Sequence, residues 1–145
     1  MPSEAINEST RREWRLLGFY YERDDEQKEW RILGTREGLG AFAHQIRKYA
    51  NDPASSQISE HVHLGPYWYL EIGTSSAPEI TDHWIAGPRQ SLVALAAEIE
   101  IRAGTAKEGE ALTFKAQFSP SSPYELTLNV QAEGFDPALA DPECQ

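Results

Sequence analysis

The segment WRILGTREGLGAFAHQIRKYANDP, residues 30–53, decides the fold because a strand, a helix start and a helix stop follow one another in it. Residues 30–34 are aromatic and aliphatic and predict a strand. Thr35 is a predicted N-cap, and Glu37 lies in the first turn, where a carboxylate meets the positive end of the helix. Apolar residues then recur at helical spacing until proline ends the helix after residue 50, which predicts a helix over residues 36–50. The apolar positions are Leu39, Phe42, Ala43, Ile46 and Ala50.

The sequence upstream of this helix predicts a hairpin. Residues 14–22 (WRLLGFYYE) are rich in aromatic and aliphatic side chains, which is typical of a strand. A charged connection, residues 23–29, separates them from the strand at 30–34. We therefore predict that these two strands pair through a solvated loop.

Residues 32–50 are repeated, with substitutions, at residues 85–103, an offset of 53 residues. Eight of the 19 positions from 32 to 50 are identical to their counterparts, against about one or two expected from average residue usage. Two amphipathic helices that share Leu and Ala at helical spacing are an alternative explanation, but the matches Gly34/Gly87 and Arg36/Arg89 precede the helix and favour duplication. Each copy reads strand, helix, hairpin.

The repeat predicts the fold class. We expect an α+β protein in which two strand-helix-hairpin units and an N-terminal strand place the helices on one face of a largely antiparallel sheet. The chain is predicted to be a single domain over residues 1–145, with a first unit at 14–74 and a second at 82–131. The ends, residues 1–12 and 135–145, are predicted to be flexible because they are polar or rich in Asp-Pro pairs.

The second hairpin of the first copy, residues 61–74, carries the candidate site. A three-residue loop at 65–67 pairs Val62 with Leu70 on an apolar face, and His61 with Glu71 on a polar face. The same register brings His63 opposite Tyr69. The polar face is therefore predicted to expose imidazole, phenol and carboxylate groups.

His61 and His63 are the best candidates for metal ligands, with Glu71 as a third ligand across the hairpin. Two histidines and a carboxylate without a signature spacing are a weak pattern, so we interpret them as a solvent-facing polar surface and predict no metal and no cofactor. The sequence also has no recognisable catalytic or phosphate-binding motif, which predicts a protein that is not an enzyme. A metal-dependent enzyme or binder using these three residues is the alternative.

Three consecutive aromatic residues, Tyr67, Trp68 and Tyr69, cannot all be buried in an alternating strand. We expect at least one face to present phenol rings beside His63, a composition typical of interface hot spots. The alternatives are that another element of the chain covers these rings, or that a second copy covers them in a homodimer.

The formal net charge of −10 argues against nucleic acid as a partner, since affinity for nucleic acid depends on Lys and Arg. Residues 98–145 hold nine acidic and three basic side chains, so the acidity is concentrated there. Glu108 and Glu110 lie in a predicted loop of this region and are candidates for steering a basic protein. The sequence has a single cysteine, Cys144, and no signal peptide or apolar span, which predicts a cytoplasmic protein without membrane association.

The first copy resembles a known family. Residues 30–50 followed by SEHVHLGPYWYLEI resemble the immunity protein 32 family of bacterial polymorphic toxin systems, through a strand, the helix start Glu37-Gly38-Leu39, an H-x-H strand and a final aliphatic strand. The resemblance covers about residues 30–74. It implies a protein that binds a cognate toxin and occludes its active or target-binding surface. The predicted contact residues are His61, His63, Tyr67, Tyr69 and Glu71, with Glu108 and Glu110 steering a toxin that has a basic surface.

Overall fold

The computed structural model describes residues 3–145 and contains five α-helices and eight strands in that part of the chain. Short 3-10 turns at Pro53–Ser56 and Pro142–Cys144 complete the secondary structure. The helices are α1 (Glu4–Leu17), α2 (Arg36–Asn51), α3 (Arg89–Thr105), α4 (Lys115–Phe118) and α5 (Pro137–Ala140). The strands are β1 (Tyr20–Asp24), β2 (Glu29–Gly34), β3 (His61–Leu64), β4 (Leu70–Thr74), β5 (Glu79–Ile80), β6 (Trp84–Gly87), β7 (Ala111–Thr113) and β8 (Glu125–Val130).

The strands form two four-stranded sheets with the orders β1-β2-β8-β7 and β3-β4-β6-β5. The counterpart strands of the two repeats are β1 and β5, β2 and β6, β3 and β7, and β4 and β8. Exchanging every strand with its counterpart turns the strand order of the first sheet into that of the second. The topology therefore has the pseudo-twofold symmetry that the sequence repeat implies. In both sheets two antiparallel hairpins meet through one parallel pair, which sets Ile32 opposite Leu128 and Ile72 opposite Ile85.

The α+β class and the packing of helices on largely antiparallel sheets are confirmed. The strands are divided between two sheets, whereas the prediction described one. The reason is that each unit contributes its first hairpin to one sheet and its second hairpin to the other, where it joins a hairpin of the other unit. Local patterning predicts the hairpins but not which hairpins become neighbours.

Helices α2 and α3 pack against each other, and their buried faces share one hydrophobic core with both sheets. Helix α2 confirms the predicted helix: the Thr35 hydroxyl accepts a hydrogen bond from the Gly38 N–H at 3.0 Å, and the helix ends before Asp52-Pro53. No helix among residues 3–145 combines the length and apolar character needed to cross a membrane.

The prediction of a strand beginning at Trp14 is wrong, because Trp14 belongs to helix α1. Ser3 caps this helix by accepting a hydrogen bond from the Ile6 N–H at 3.2 Å. Gly18, with φ +93°, ends it and donates its N–H to the Trp14 carbonyl at 3.0 Å. A glycine in the left-handed conformation is the usual helix terminator, so the aromatic cluster is split between a helix and strand β1. Residues 3–12, predicted to be flexible, are almost entirely helical, and residues 1 and 2 lie outside the described part.

The C-terminal residues 135–145, for which we also predicted a flexible end, contain helix α5 and a 3-10 turn. Helix α5 and the 3-10 turn that follows it pack against α1. Asp136 and Asp141 act as N-caps that accept hydrogen bonds from the main chain, each with proline at the first helical position. Asp-Pro pairs are therefore helix starts here rather than breaks. Arg11 of α1 further holds this segment by donating to the Cys144 carbonyl at 2.6 Å.

Candidate functional site

The β3–β4 hairpin has a five-residue loop, residues 65–69, where three loop residues were predicted. Leu64 pairs with Leu70, and His63 pairs with Glu71. The predicted register is thus shifted by two residues, which changes the partners but keeps His61, His63 and Glu71 on the same face. Tyr21 packs against the start of this loop: its hydroxyl donates to the Leu64 carbonyl, and its ring lies 2.7 Å from where a Cβ on Gly65 would stand.

The structure brings His61, His63 and Glu71 together on one exposed face, which we call the histidine cluster. His61 Nε2 lies 3.6 Å from Glu71 Oε1, and His63 Nδ1 lies 3.9 Å from Glu71 Oε2. The Nδ1 atom of His61 also lies 2.9 Å from the Ser59 carbonyl. A carbonyl only accepts hydrogen bonds, so Nδ1 carries a proton and Nε2 is directed at the carboxylate. The cluster therefore places two imidazole rings and a carboxylate side by side on one face.

The same three side chains are the metal-ligand candidates. One ligand atom from each lies within 4.8 Å of the other two, and imidazole with carboxylate is a donor set that zinc accepts. The two imidazoles are exposed on an edge strand of the sheet. The interpretation of this cluster as a polar surface without a metal stays a prediction, and metal binding stays the alternative.

Two of the three consecutive aromatic residues are exposed. Trp68 is 66% and Tyr69 is 63% accessible, and the Trp68 ring stacks on His63 with 5.4 Å between centroids. Trp68 lies in the loop with φ +62°, not in a strand as expected. Tyr67 is half-buried and its ring lies 5.7 Å from that of Tyr69. The Trp68 ring thus adjoins the histidine cluster, whereas the Tyr69 ring lies beside Tyr67.

Sequence reasoning missed the partner of Tyr67, which is Asp141. The Tyr67 hydroxyl donates to Asp141 Oδ2 at 2.6 Å, and the Trp14 indole N–H donates to the same oxygen at 2.8 Å. The Cys144 thiol lies 3.3 Å from Oδ2, and the Glu143 N–H donates to Oδ1 at 2.9 Å. The one available signal was the Asp141-Pro142 pair, which is also a helix N-cap motif.

Asp141 is only 1% exposed. Burial raises the pKa of its carboxyl, but the hydrogen bonds from Tyr67, Trp14, the Glu143 main chain and Cys144 outweigh burial and hold that pKa below its ordinary value. Burial, together with the hydrogen bond to Asp141, raises the pKa of the Tyr67 phenol well above its ordinary value. Burial and Asp141 also raise the pKa of the Cys144 thiol, which keeps it protonated and unreactive.

We expect Asp141→Asn to lower stability in a pH-dependent way. Because the pKa of Asp141 is lower in the folded state than in the unfolded chain, the carboxylate stabilises the fold above the unfolded value of about 4, and this contribution is lost as the pH falls through the folded-state pKa. Urea unfolding of the wild type and Asp141→Asn should therefore differ most near about pH 7 and converge near about pH 2. A difference that does not change with pH would contradict an ionised Asp141.

A cleft of about 430 Å³ opens between β1, the β3–β4 loop and the C-terminal segment, and we call it the aromatic cleft. Asp141 forms part of its wall. The structure thus joins Tyr67 and Tyr69, both predicted contact residues, to elements that the sequence did not connect with them. The lining comprises Trp14, Tyr20, Tyr21, Tyr67 and Tyr69 together with Glu22, Arg23, Asp141, Pro142 and Glu143.

The predicted steering residues Glu108 and Glu110 lie elsewhere, in the exposed loop between α3 and β7. Glu110 accepts a hydrogen bond from the Lys107 N–H at 2.7 Å, and Glu108 accepts one from the Glu133 N–H at 3.4 Å. Strand β7 belongs to the other sheet from β3 and β4. The structure therefore does not bring these two carboxylates into the histidine cluster.

In a comparison with protein families, the model of the immunity protein 32 family matches residues 29–84. This confirms the resemblance over less than half of the chain, from β2 through α2 and the hairpin with the histidine cluster to the start of β6. Searches of curated proteins and of solved structures gave no significant match.

Proposed function

We propose that this protein is an immunity protein, which binds a cognate bacterial toxin and neutralises it by covering the toxin's active or target-binding surface. The observation that carries the proposal is the family match, because the matched residues 29–84 include the exposed hairpin β3–β4 with its histidine cluster. Inhibition by binding needs no catalytic group in this chain. The site of action would be the cytoplasm of the cell that makes the toxin.

The proposed contact surface consists of the histidine cluster and the exposed ring of Tyr69, which lies in the loop of the same hairpin. Tyrosine supplies a large contact area at low cost in side-chain entropy, and histidine paired with carboxylate supplies polar specificity. Trp68 extends the surface by stacking on His63. Tyr67 contributes mainly by supporting Tyr69, because its hydroxyl is already bonded to Asp141.

The experiment that tests this proposal is rescue of growth in a bacterial host. The protein encoded immediately beside the gene of this chain is expressed as the toxin, alone and together with the chain. We expect growth to stop without the chain and to recover with it, and the two proteins to co-purify. Failure of the chain to restore growth or to co-purify would overturn the proposal.

For the purified complex, we predict that Tyr69→Ala raises the dissociation rate by about tenfold or more, with little change in the association rate. Loss of a central aromatic contact typically costs more than about 1.4 kcal/mol, and such losses are expressed in dissociation. Ile101→Ala is a matched control, because Ile101 is also an exposed large apolar residue but lies on α3. Surface-plasmon resonance distinguishes the two variants. Equal dissociation rates for both would refute the assignment of Tyr69 to the interface.

The exposed loop that contains Glu108 and Glu110 should affect the association rate rather than the dissociation rate. We predict that the double variant Glu108→Lys, Glu110→Lys associates several-fold more slowly than the wild type at low salt, because charges at the rim of an interface steer a basic partner. The difference should shrink at ~0.5 M salt, where charges are screened within about 5 Å. An unchanged association rate at low salt would remove these two residues from the proposed site.

A further inference from the structure

The aromatic cleft combines a buried carboxylate with aromatic walls, and both features favour a cationic ligand. Its wall contains Asp141, an ionised carboxylate whose hydrogen-bond partners are all neutral donors: an indole, a phenol, a thiol and a main-chain N–H. Buried charges in proteins are normally balanced by an opposite charge. No charged side chain is thus among the described hydrogen-bond donors to Asp141, and its carboxylate forms part of the wall of an open cavity.

The remaining charged groups of the cleft leave it acidic. Arg23 is the one basic residue in the lining, and its guanidinium is engaged: Nε lies 2.8 Å from Asp25, and Nη1 donates to the Asp82 carbonyl at 2.7 Å. Glu22 pairs with Arg31 at 2.8 Å. Glu143, exposed at the rim, adds a further carboxylate.

The other walls are aromatic. Tyr20, Tyr21, Tyr67, Tyr69 and Trp14 line the cleft, and the faces of such rings attract cations. Burial raises the pKa values of Tyr20 and Tyr21 to about 12, so these phenols stay neutral and keep their hydrogen-bond donors at physiological pH. A volume of about 430 Å³ lies within the range of pockets that hold small groups.

We propose that the aromatic cleft binds an arginine side chain of the toxin. A guanidinium is planar, stacks on tyrosine rings and donates in a fork to carboxylates, whereas an ammonium is compact and more strongly hydrated. This inference rests on the proposed function. It states which group of the toxin's basic surface enters the cleft beside Asp141, namely the guanidinium of an arginine. It also gives the folded C-terminal segment a role, since that segment supplies Asp141 and Glu143.

The test uses the free protein and N-acetyl-arginine methylamide as the probe, with N-acetyl-citrulline methylamide as the uncharged control of the same shape. The reporter is the Trp14 indole N–H signal in a ¹H–¹⁵N spectrum, because this group donates to Asp141. The Trp84 indole, which donates to Glu79 at 3.3 Å, is the internal control. We expect the Trp14 signal to shift with the arginine probe, to saturate near ~10 mM, and to stay in place with citrulline.

Two variants show where the probe binds. Glu143→Gln removes an exposed rim charge, and Tyr69→Ala removes an exposed ring, so both should fold while raising the dissociation constant of the probe at least twofold. No shift of Trp14, an equal shift with citrulline, or an affinity unchanged in both variants would overturn the proposal. Because no toxin is present, such a result would leave the immunity function itself standing, whereas a failed growth rescue would not affect the cleft measurement.

Discussion

Trp14→Ala is expected to lower the free energy of unfolding by about 3–5 kcal/mol, the usual cost of removing a large aromatic side chain from a core. Trp14 is 1% exposed, and its ring lies 4.8 Å from that of Tyr20 and 5.3 Å from that of Tyr21. The substitution also removes the indole N–H from the buried carboxylate of Asp141, which adds a desolvation cost. Urea denaturation at neutral pH measures the effect.

Leu16→Ala in the same helix is the control. Leu16 is 81% exposed, so its loss should change stability by less than about 0.5 kcal/mol. If Trp14→Ala were as mild as Leu16→Ala, α1 would not be docked on the fold. In that case the N-terminal residues would be the flexible end that the sequence predicted.

A pair of glycines in α2 should respond to alanine in opposite directions. A Cβ on Gly38 would lie 2.4 Å from the carbonyl oxygen of Gly18, a backbone atom that moves only with its chain. A Cβ on Gly40 would meet no atom within 4 Å. We expect Gly38→Ala to lower the free energy of unfolding by about 1–2 kcal/mol through overpacking, and Gly40→Ala to raise it by about 0.5–1 kcal/mol through helix propensity.

The two substitutions are chemically identical and lie two residues apart in one helix, so each serves as the control for the other. Thermal unfolding should give a lower Tm for Gly38→Ala and a higher Tm for Gly40→Ala. Stabilisation by both would show that α2 does not pack closely on the Gly18 turn. The result also bears on Glu37-Gly38-Leu39, the helix start that carries the family resemblance, since it would give the glycine a packing role.

The elements that follow local rules could be predicted from the sequence. Helix α2 has a cap at Thr35, a regular apolar face and a proline stop, and each of these acts within a few residues. The repeat also predicted where the second helix begins, because α3 begins at Arg89, 53 residues after the start of α2 at Arg36. The pairing of hairpins into two sheets could not be predicted, since it depends on contacts between units that are far apart in the chain.

Part of the candidate site could be predicted from local sequence patterns, and part of it could not. Alternation along two strands was enough to place His61, His63 and Glu71 on one face, even though the loop is two residues longer than predicted. The aromatic cleft escaped prediction because Trp14 and Asp141 are separated by 127 residues and meet only when both ends of the chain fold. Local sequence patterns assigned Trp14 to a strand and Asp141 to a flexible tail.

The proposed inhibition by stoichiometric binding is tested most directly by titrating the activity of the cognate toxin, once the growth-rescue experiment has identified it, with the purified protein. We predict that toxin activity falls linearly, reaches zero at a single equivalent, and does so equally with a metal chelator present. Inactivation that progresses with time at a small fraction of an equivalent would instead indicate an enzyme, and full activity at an excess of the protein would contradict inhibition altogether.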